Sequence, residues 1–146
     1  MRDDEFLKNR LEEIWNTSFY DVERKNNVKI RFKGNWKNKF GHIKKLKTGE
    51  SEIVVNGYFR DENIPEFIIN LTIAHELVHY SHGFSSPLPR LYKHPHKGGI
   101  VNKDLKKRGF KDFLKMERHW LKNDWRKIAR EEFTERKQRI GLFKWF

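Results

Sequence analysis

The spacing of apolar residues along the first half of the chain predicts one helix and three strands. Between residues 3 and 19, apolar side chains recur every three to four positions, the period of a helix with one buried face: Leu7, Leu11, Ile14, Trp15 and Phe19. Residues 28–32 alternate between apolar and basic side chains, as in a half-buried strand. Residues 40–46 and 52–55 predict two further strands. The three strands are expected to form a small antiparallel meander.

The second half of the chain predicts helices separated by one proline-rich loop. Residues 64–82 are predicted to be helical, with Pro65 in the first turn and Gly83 as the stop. Residues 84–95 hold three of the four prolines, so they predict a loop. Residues 100–109 predict a short helix.

The last part of the chain predicts one long helix over residues 111–139. Its apolar residues are Phe113, Leu114, Trp120, Leu121, Trp125, Ile128 and Phe133. Residues 141–146 are strongly apolar and are expected to pack back on the domain. The predicted fold class is therefore α+β, with a small three-stranded antiparallel sheet packed with helices and a long C-terminal helix. A length of 146 residues suggests a single domain, 1–146.

The helix predicted over residues 64–82 contains a candidate metal-binding motif, His-Glu-Leu-Val-His, at residues 75–79. His75 and His79 are four residues apart, so on an α-helix they share a face about 6 Å apart along the axis. Both imidazoles can therefore bind one Zn²⁺ ion. Glu76 lies about 100° round the helix, where it can act on water at the metal. A chain of this composition contains the pattern by chance about 0.03 times, and the apolar residues around it favour a metal site over a core helix with two partly buried, hydrogen-bonded histidines.

Composition narrows the chemistry and suggests a partner. The chain has no cysteine, so a metal site must use histidine and carboxylate ligands. Of the net charge of +12, residues 97–146 contribute +9, with 16 Lys or Arg against 7 Asp or Glu. Such an excess favours polyanions, nucleic acid before anionic lipid. DNA or RNA is expected to bind through the last helix and four residues before or at its start: Lys106, Lys107, Arg108 and Lys111.

The sequence also carries signals about location. The N-terminal residues are charged and precede no apolar signal segment. No run approaches about 18 apolar residues, so no membrane span is expected. A cytoplasmic protein is the expectation.

A catalytic zinc site needs a third protein ligand in addition to the two helix histidines. The remaining histidines are His42, His82, His94, His96 and His119. His82 would lie about 10.5 Å from His75 along the helix axis, too far for one ion to bind all three helix histidines. His94 and His96 flank Pro95 in the loop that returns past the helix. The spacing alone leaves both of them open.

At these motifs the chain resembles the SprT-like zinc metallopeptidases, which include the Spartan proteases that digest proteins crosslinked to DNA. The resemblance covers about residues 5–110, with residues 111–146 as a basic helical extension. It rests on Phe40-Gly41, on Ile53-Val54-Val55-Asn56 and on Thr72-Ile73-Ala74-His75-Glu76-Leu77-Val78-His79. It includes His96-Lys97-Gly98-Gly99-Ile100, followed by Leu105, which matches the family's third-ligand segment.

The resemblance implies a zincin-like fold and a zinc metalloendopeptidase acting on protein or peptide substrates, among them nucleic-acid-associated proteins. It assigns Zn²⁺ to His75, His79 and His96. Glu76 would take a proton from water and pass it to the leaving amine. A competing resemblance, to the ImmA/IrrE-like peptidases, shares the motif but takes a glutamate as third ligand.

Further expectations follow for the competing ligand, the substrate and the oxyanion. In the ImmA/IrrE-like case, Glu131 or Glu132 would serve as the third ligand. The strand at residues 52–56 is expected to be a sheet edge that holds substrate as an added strand. Candidates for stabilising the oxyanion are Tyr80, Tyr92 and His94.

A different function class remains open beside the enzyme. The chain could be a nucleic-acid-binding module with a structural or vestigial zinc site. Aromatic residues of the basic C-terminal third would then stack on bases: Trp120, Trp125, Phe143 and Trp145.

Overall fold

The computed structural model describes residues 1–132. Within them the strands are β1 (Val28–Lys33), β2 (Gly41–Lys45) and β3 (Ser51–Asn56). The α-helices are α1 (Asp4–Ser18), α2 (Glu66–Ser81), α3 (Ile100–Lys107) and α4 (Lys111–Trp120). A 3-10 segment, Gly57–Arg60, follows β3, and another, Lys97–Gly99, precedes α3. The predicted α+β class is confirmed, and each predicted element of this region lies close to its expected position.

Helix α1 forms where its caps and apolar stripe predict it. The carboxylate of Asp3 accepts a hydrogen bond from the backbone N–H of Phe6 at 2.9 Å, which caps the N-terminus. The buried residues of α1 are Leu7, Leu11, Ile14 and Trp15. This stripe packs against β1 and α2.

The sheet is mixed, so the predicted antiparallel meander is wrong in one of its two pairings. The strand order is β1-β3-β2, with β1 parallel to β3 and β2 antiparallel to β3. After β1 the chain therefore crosses to the far edge before it returns as the middle strand. Asn56 holds this crossing, because its side-chain amide donates to the carbonyls of Trp36 at 2.7 Å and Lys39 at 2.9 Å.

The physical reason for this order is visible in the burial of each strand. β3 is buried at all six positions, whereas β1 alternates between buried and exposed or half-buried side chains. A strand that buries both faces belongs in the middle of a sheet. Residues 52–56 therefore lie in the central strand, and the expectation that they form a substrate-binding edge is wrong. The edges are β1 and β2.

Helix α2 is the most deeply buried helix of the described residues. Eleven of its 16 residues are buried, including Ile68, Leu71, Ile73, Leu77 and Val78. A helix that is apolar nearly all round belongs in a core rather than at a surface. It contacts α1, α3 and the strands β2 and β3. The polar side chains of this helix are consequently withdrawn from bulk water.

The predicted long C-terminal helix is present, with one irregularity. After α4 the chain forms a π-helical turn, Leu121–Trp125, and continues as helix to residue 132. The ring of Trp120, the last residue of α4, stacks on that of Trp125 in this turn, with centroids 5.6 Å apart. The helical extension to residue 139, the packing of residues 141–146 and the roles of Phe133, Phe143 and Trp145 lie outside the described residues.

The chain divides into two compact units, Met1–Phe113 and a second that begins at Leu114. This division lies near the expected boundary between core and extension. None of the helices in residues 1–132 combines the length and the apolar character needed to cross a membrane.

Candidate metal centre

Helix α2 brings the first two histidines together by its own geometry. His75 and His79 lie one turn apart, and their Nε2 atoms are 3.2 Å from each other. The two rings meet edge to face, with centroids 4.9 Å apart. His79 is buried and His75 is half-buried. The helical spacing in the sequence therefore yields a pair of convergent nitrogens.

The third histidine of the group is His96, at the start of the segment before α3. Its ring centroid lies 4.7 Å from that of His79. One ring nitrogen from each of His75, His79 and His96 falls within 4.8 Å of the others. In residues 1–132 this is the group of potential ligands that converges on a single point. His94, the other candidate in the loop, is not a member.

The loop that carries His96 is tied back to the end of α2. Gly83 ends the helix with φ +78°, in the left-handed region that glycine adopts without strain. The N–H of Phe84 then donates to the carbonyl of His79 at 2.9 Å, and that of Leu91 to the carbonyl of His82 at 2.9 Å. These bonds return the chain toward the two helix histidines.

Two serines add side-chain ties to the same loop. The hydroxyl of Ser86 donates to the carbonyl of Tyr80 at 2.8 Å. The carbonyl of Ser85 accepts from the hydroxyl of Ser51 on β3 at 2.6 Å, and the Ser85 hydroxyl donates to the carbonyl of Ile43 at 3.3 Å. The loop is thus anchored to both α2 and the sheet. No sequence motif predicted these hydrogen bonds.

His82 has a structural partner that sequence reasoning missed. Its Nε2 lies 2.8 Å from a carboxylate oxygen of Asp104 on α3, and His82 is 6% exposed. The other carboxylate oxygen of Asp104 accepts from Arg108 at 2.9 Å, and Arg108 also pairs with Asp21 at 2.7 Å. These contacts join the end of α2 to α3, so His82 is not placed to bind the same ion as His75.

The predicted nucleic-acid contacts separate into two kinds. Lys106, Lys107 and Lys111 are exposed. Arg108 is not, because 13% of its side chain is accessible and its guanidinium is engaged by two carboxylates. Arg108 also lies over the ring of Phe19 at 4.3 Å. It therefore has a packing role within the first unit.

The remaining ligand candidates are not members of the histidine group identified within residues 1–132. His42 is on β2, with its ring centroid 5.7 Å from that of Trp36. His119, Glu131 and Glu132 belong to the second unit. The group identified in the described residues contains three histidines and no carboxylate.

Of the oxyanion candidates, Tyr80 is engaged in the core. It is fully buried, and its hydroxyl donates to Asn26 at 2.6 Å and accepts from the N–H of Lys25 at 3.2 Å. Tyr92 is 40% exposed, with its ring centroid 4.9 Å from that of His82. His94 is exposed in the loop. Tyr80 therefore has a structural role.

Burial keeps the helix histidines neutral. It lowers the pKa of His75 from 6.5 to about 4, with a further contribution from nearby His96. It lowers the pKa of His79 to about 3, and the neighbouring histidines act in the same direction. Each ring therefore keeps a free nitrogen lone pair at neutral pH, which is the form that binds metal.

Glu76 lies between the two ligand positions in the sequence and is 4% exposed. Burial raises the pKa of its carboxyl from 4.5 to about 8, and the positive charge of Lys39 opposes this rise. No group in residues 1–132 hydrogen-bonds to its carboxyl oxygens. A carboxyl group with a pKa this close to neutrality can both accept and return a proton.

The separation of the two helix histidines matches that of two nitrogen ligands on one tetrahedral metal ion. Two nitrogen ligands on a tetrahedral Zn²⁺, each about 2.0–2.1 Å from the metal, are about 3.3 Å apart. The Nε2 atoms of His75 and His79 are 3.2 Å apart. His96 lies on an exposed segment, so its ring can adjust more readily than the two helix rings.

Comparison with protein-family models, curated proteins and solved structures finds no match to this chain.

Proposed function

We propose that this chain is a zinc-dependent endopeptidase that hydrolyses protein or peptide substrates. The observation that carries the proposal is the convergence of the His75, His79 and His96 nitrogens within 4.8 Å, with the buried carboxyl of Glu76 on the same helix. Three nitrogen ligands leave the fourth position of a tetrahedral ion to water or substrate, as in catalytic zinc sites. The zincin-like fold expected from the resemblance to SprT-like peptidases belongs to the same proposal.

In this proposal the three histidines hold the ion and Glu76 moves the proton. When bound, Zn²⁺ acts as a Lewis acid on the scissile carbonyl and lowers the pKa of water toward about 7. A carboxylate oxygen of Glu76 accepts a proton from the attacking water and delivers it to the nitrogen of the leaving amine. In the metal-free protein burial raises the pKa of Glu76 to about 8, and the positive charge of a bound Zn²⁺ would lower it toward the range in which the carboxylate accepts a proton.

The test combines metal analysis with hydrolysis in a Glu76→Gln variant. The substitution preserves shape but removes the proton acceptor. We expect zinc content to stay at one ion per chain, while kcat/KM for a cleaved protein or peptide falls by about 10²–10⁴-fold. Atomic absorption measures the metal, and a quenched fluorescent peptide library measures hydrolysis.

Glu66→Gln is the matched control, because Glu66 is an exposed residue in the first turn of the same helix. It should change neither zinc content nor rate. Undiminished hydrolysis in Glu76→Gln would contradict the assigned mechanism. Wild-type protein that binds no zinc would contradict the proposal as a whole.

A second candidate, a nucleic-acid-binding module with a structural zinc site, is supported by the exposed side chains of Lys106, Lys107 and Lys111. Glu76→Gln should change neither the zinc content nor the nucleic-acid binding of such a module. It would bind DNA or RNA with an affinity that falls steeply with salt, by a log–log slope of about 0.7–0.9 per neutralised phosphate. DNA or RNA association stays a prediction for this chain.

A further inference from the structure

One internal stretch of the chain has an extreme charge pattern. Residues 24–49 contain ten cationic residues and neither aspartate nor glutamate: Arg24, Lys25, Lys29, Arg31, Lys33, Lys37, Lys39, Lys44, Lys45 and Lys47. The rest of residues 1–96 holds 6 Lys or Arg against 13 Asp or Glu, so it is acidic. The summed charge of residues 1–96 does not show this contrast, because the basic stretch and the acidic remainder nearly cancel.

The fold places this stretch on the two edges of the sheet. Residues 24–49 comprise β1, β2, the segment joining them and short flanking segments, whereas the central strand β3 lies outside it. Two acidic residues face these strands and both are already paired: Glu52 on β3 with Arg31 at 3.3 Å and Lys44 at 3.8 Å, and Glu50 with Lys29 at 3.2 Å. Lys45 and Lys47 are exposed and have no acidic partner in residues 1–132.

Strand β2 has a free edge beside these cations. The carbonyl of Phe40 and the N–H of Leu46 bond to the β3 side, at Asn56 and Glu50. Because backbone groups alternate along a strand, those of the odd-numbered residues between them point away from the sheet. The carbonyl of Ile43 accepts from a serine hydroxyl, but the outward groups of Gly41 and Lys45 have no partner in the described part of the chain.

The free edge starts next to the helix that carries Glu76. Gly41 packs so closely against α2 that a Cβ at this position would lie 2.8 Å from the methyl carbon of Thr72. Thr72 is one helical turn before Glu76. Lys39, two residues before Gly41, lies at the same end of β2 and is exposed. A chain lying along β2 would therefore run beside the proposed catalytic residue.

We propose that the free edge of β2, together with Lys39, Lys44, Lys45 and Lys47, selects acidic polypeptide segments as substrates. This inference rests on the proposed peptidase function and names its substrate class. An extended peptide added to the edge satisfies the outward backbone groups of Gly41 and Lys45. Its side chains alternate between the two faces of the sheet, where Lys44 and Lys45 point to opposite sides.

The same surface is less suited to nucleic acid or membrane. The ring of Trp36 has the ammonium of Lys39 over it at 4.7 Å and lies against Gly34, so it offers no open face to a base. The exposed large apolar residues of the described chain all lie outside residues 24–49, so this surface lacks side chains for membrane insertion. Charge and free backbone groups together favour a polypeptide.

The test compares zinc-loaded protein on two peptides with one cleavable core, flanked by glutamates in one and by lysines in the other. We expect kcat/KM to be at least about tenfold higher for the acidic peptide at low salt, and the preference to shrink as salt rises. The double substitution Lys45→Glu/Lys47→Glu should abolish or reverse the preference for the acidic peptide. Lys8→Glu/Lys103→Glu, an equal charge change at exposed positions on α1 and α3, should leave the preference unchanged.

Binding separates failure of this inference from failure of the proposed function. Fluorescence anisotropy with Glu76→Gln protein measures affinity for each peptide without hydrolysis, and single-stranded DNA serves as competitor. Tighter binding of the acidic peptide, lost in Lys45→Glu/Lys47→Glu, supports acid selection by this edge. If zinc analysis at the same time refutes the peptidase, the edge binds acidic peptides but the assignment of these peptides as substrates fails with the proposed function. Equal binding of the two peptides overturns it. The inference is also overturned if single-stranded DNA displaces the labelled acidic peptide at a lower concentration than the unlabelled acidic peptide does.

Discussion

The two parts of the candidate centre, helix α2 and residues 83–99, are built by different means. α2 holds His75 and His79 through local geometry, in a helix with eleven buried residues. Residues 83–99 have no regular structure before Lys97 and present His96 on an exposed segment. One part is rigid because of its own backbone hydrogen bonds and packing. The other is positioned by ties to its neighbours.

This difference teaches that the proposed metal site depends on two kinds of stability. Loss of packing around α2 would disturb two of the proposed ligands at once. Loss of a tie in the loop would displace one ligand and leave the helix pair intact. Substitutions in the two parts should therefore differ in whether they change metal affinity, stability or both.

The largest effects are expected from the ligands themselves. His79→Ala and His96→Ala each remove one of the three proposed zinc ligands, and we expect each to weaken zinc affinity by more than about 10²-fold, beyond the effect of altering groups around the ligands. His79→Ala should also lower the stability of the metal-free protein, because it empties a buried position. His96→Ala should not, because His96 is exposed.

Competition with a chromophoric chelator measures the affinities, and thermal unfolding of the metal-free variants measures stability. His94→Ala is the control, since His94 lies in the same loop but outside the histidine group. Zinc binding that survives His96→Ala and disappears in His94→Ala would reverse the assignment of the third ligand.

A smaller effect is expected from Gly83→Ala, which targets the loop at its first residue. Gly83 has φ +78°, and a Cβ there would overlap the backbone of Pro89. We expect the free energy of unfolding to fall by about 1–3 kcal/mol, and zinc affinity to fall as the loop is displaced. Urea unfolding of metal-free protein and chelator competition report the two quantities.

Gly49→Ala separates the two causes of this loss. Gly49 also has a positive φ, +90°, but a Cβ at that position would meet no atom within 4 Å. Gly49→Ala therefore strains the backbone without causing an atomic overlap. Its zinc affinity should stay unchanged. Equal zinc loss in both variants would show that the loop ties do not position His96.

The smallest effect concerns the pH dependence of the metal-free protein. Between pH 4.5 and 8 the folded state keeps a proton on Glu76 that the unfolded chain releases, so stability falls as pH rises. His75 and His79 act oppositely below pH 6.5, where the unfolded chain binds protons that their lowered pKa values exclude from the fold. Above pH 6.5 the contribution of the two histidines to the pH dependence of stability ends, and that of Glu76 remains.

We therefore expect the free energy of unfolding to decrease from pH 6.5 to 8 by up to about 1.4 kcal/mol per pH unit. Glu76→Gln should flatten this decrease, and Glu66→Gln should leave it in place. Urea titrations at pH 6.5, 7.25 and 8 in the presence of chelator measure it. An unchanged slope in Glu76→Gln would show that the buried carboxyl is not its source.

Local patterns in the sequence determined the elements and half of the candidate centre. The alternation in residues 28–32 predicted β1, and the four-residue spacing of His75 and His79 predicted a shared helix face that the fold contains. Both depend on the geometry of a single helix or strand, which repeats every few residues. The uninterrupted run Ile53-Val54-Val55 was also a usable signal for a central strand, although the meander prediction did not follow it.

Tertiary structure decided what joins distant segments. The parallel pairing of β1 with β3 depends on which strands can bury both faces, and the approach of His96 depends on hydrogen bonds that Phe84, Ser86 and Leu91 make to the end of α2. The resemblance to a family suggested His96, but the residue spacing left His94 equally open. Contacts across sixteen intervening residues have no local period, so only the folded chain could choose between them.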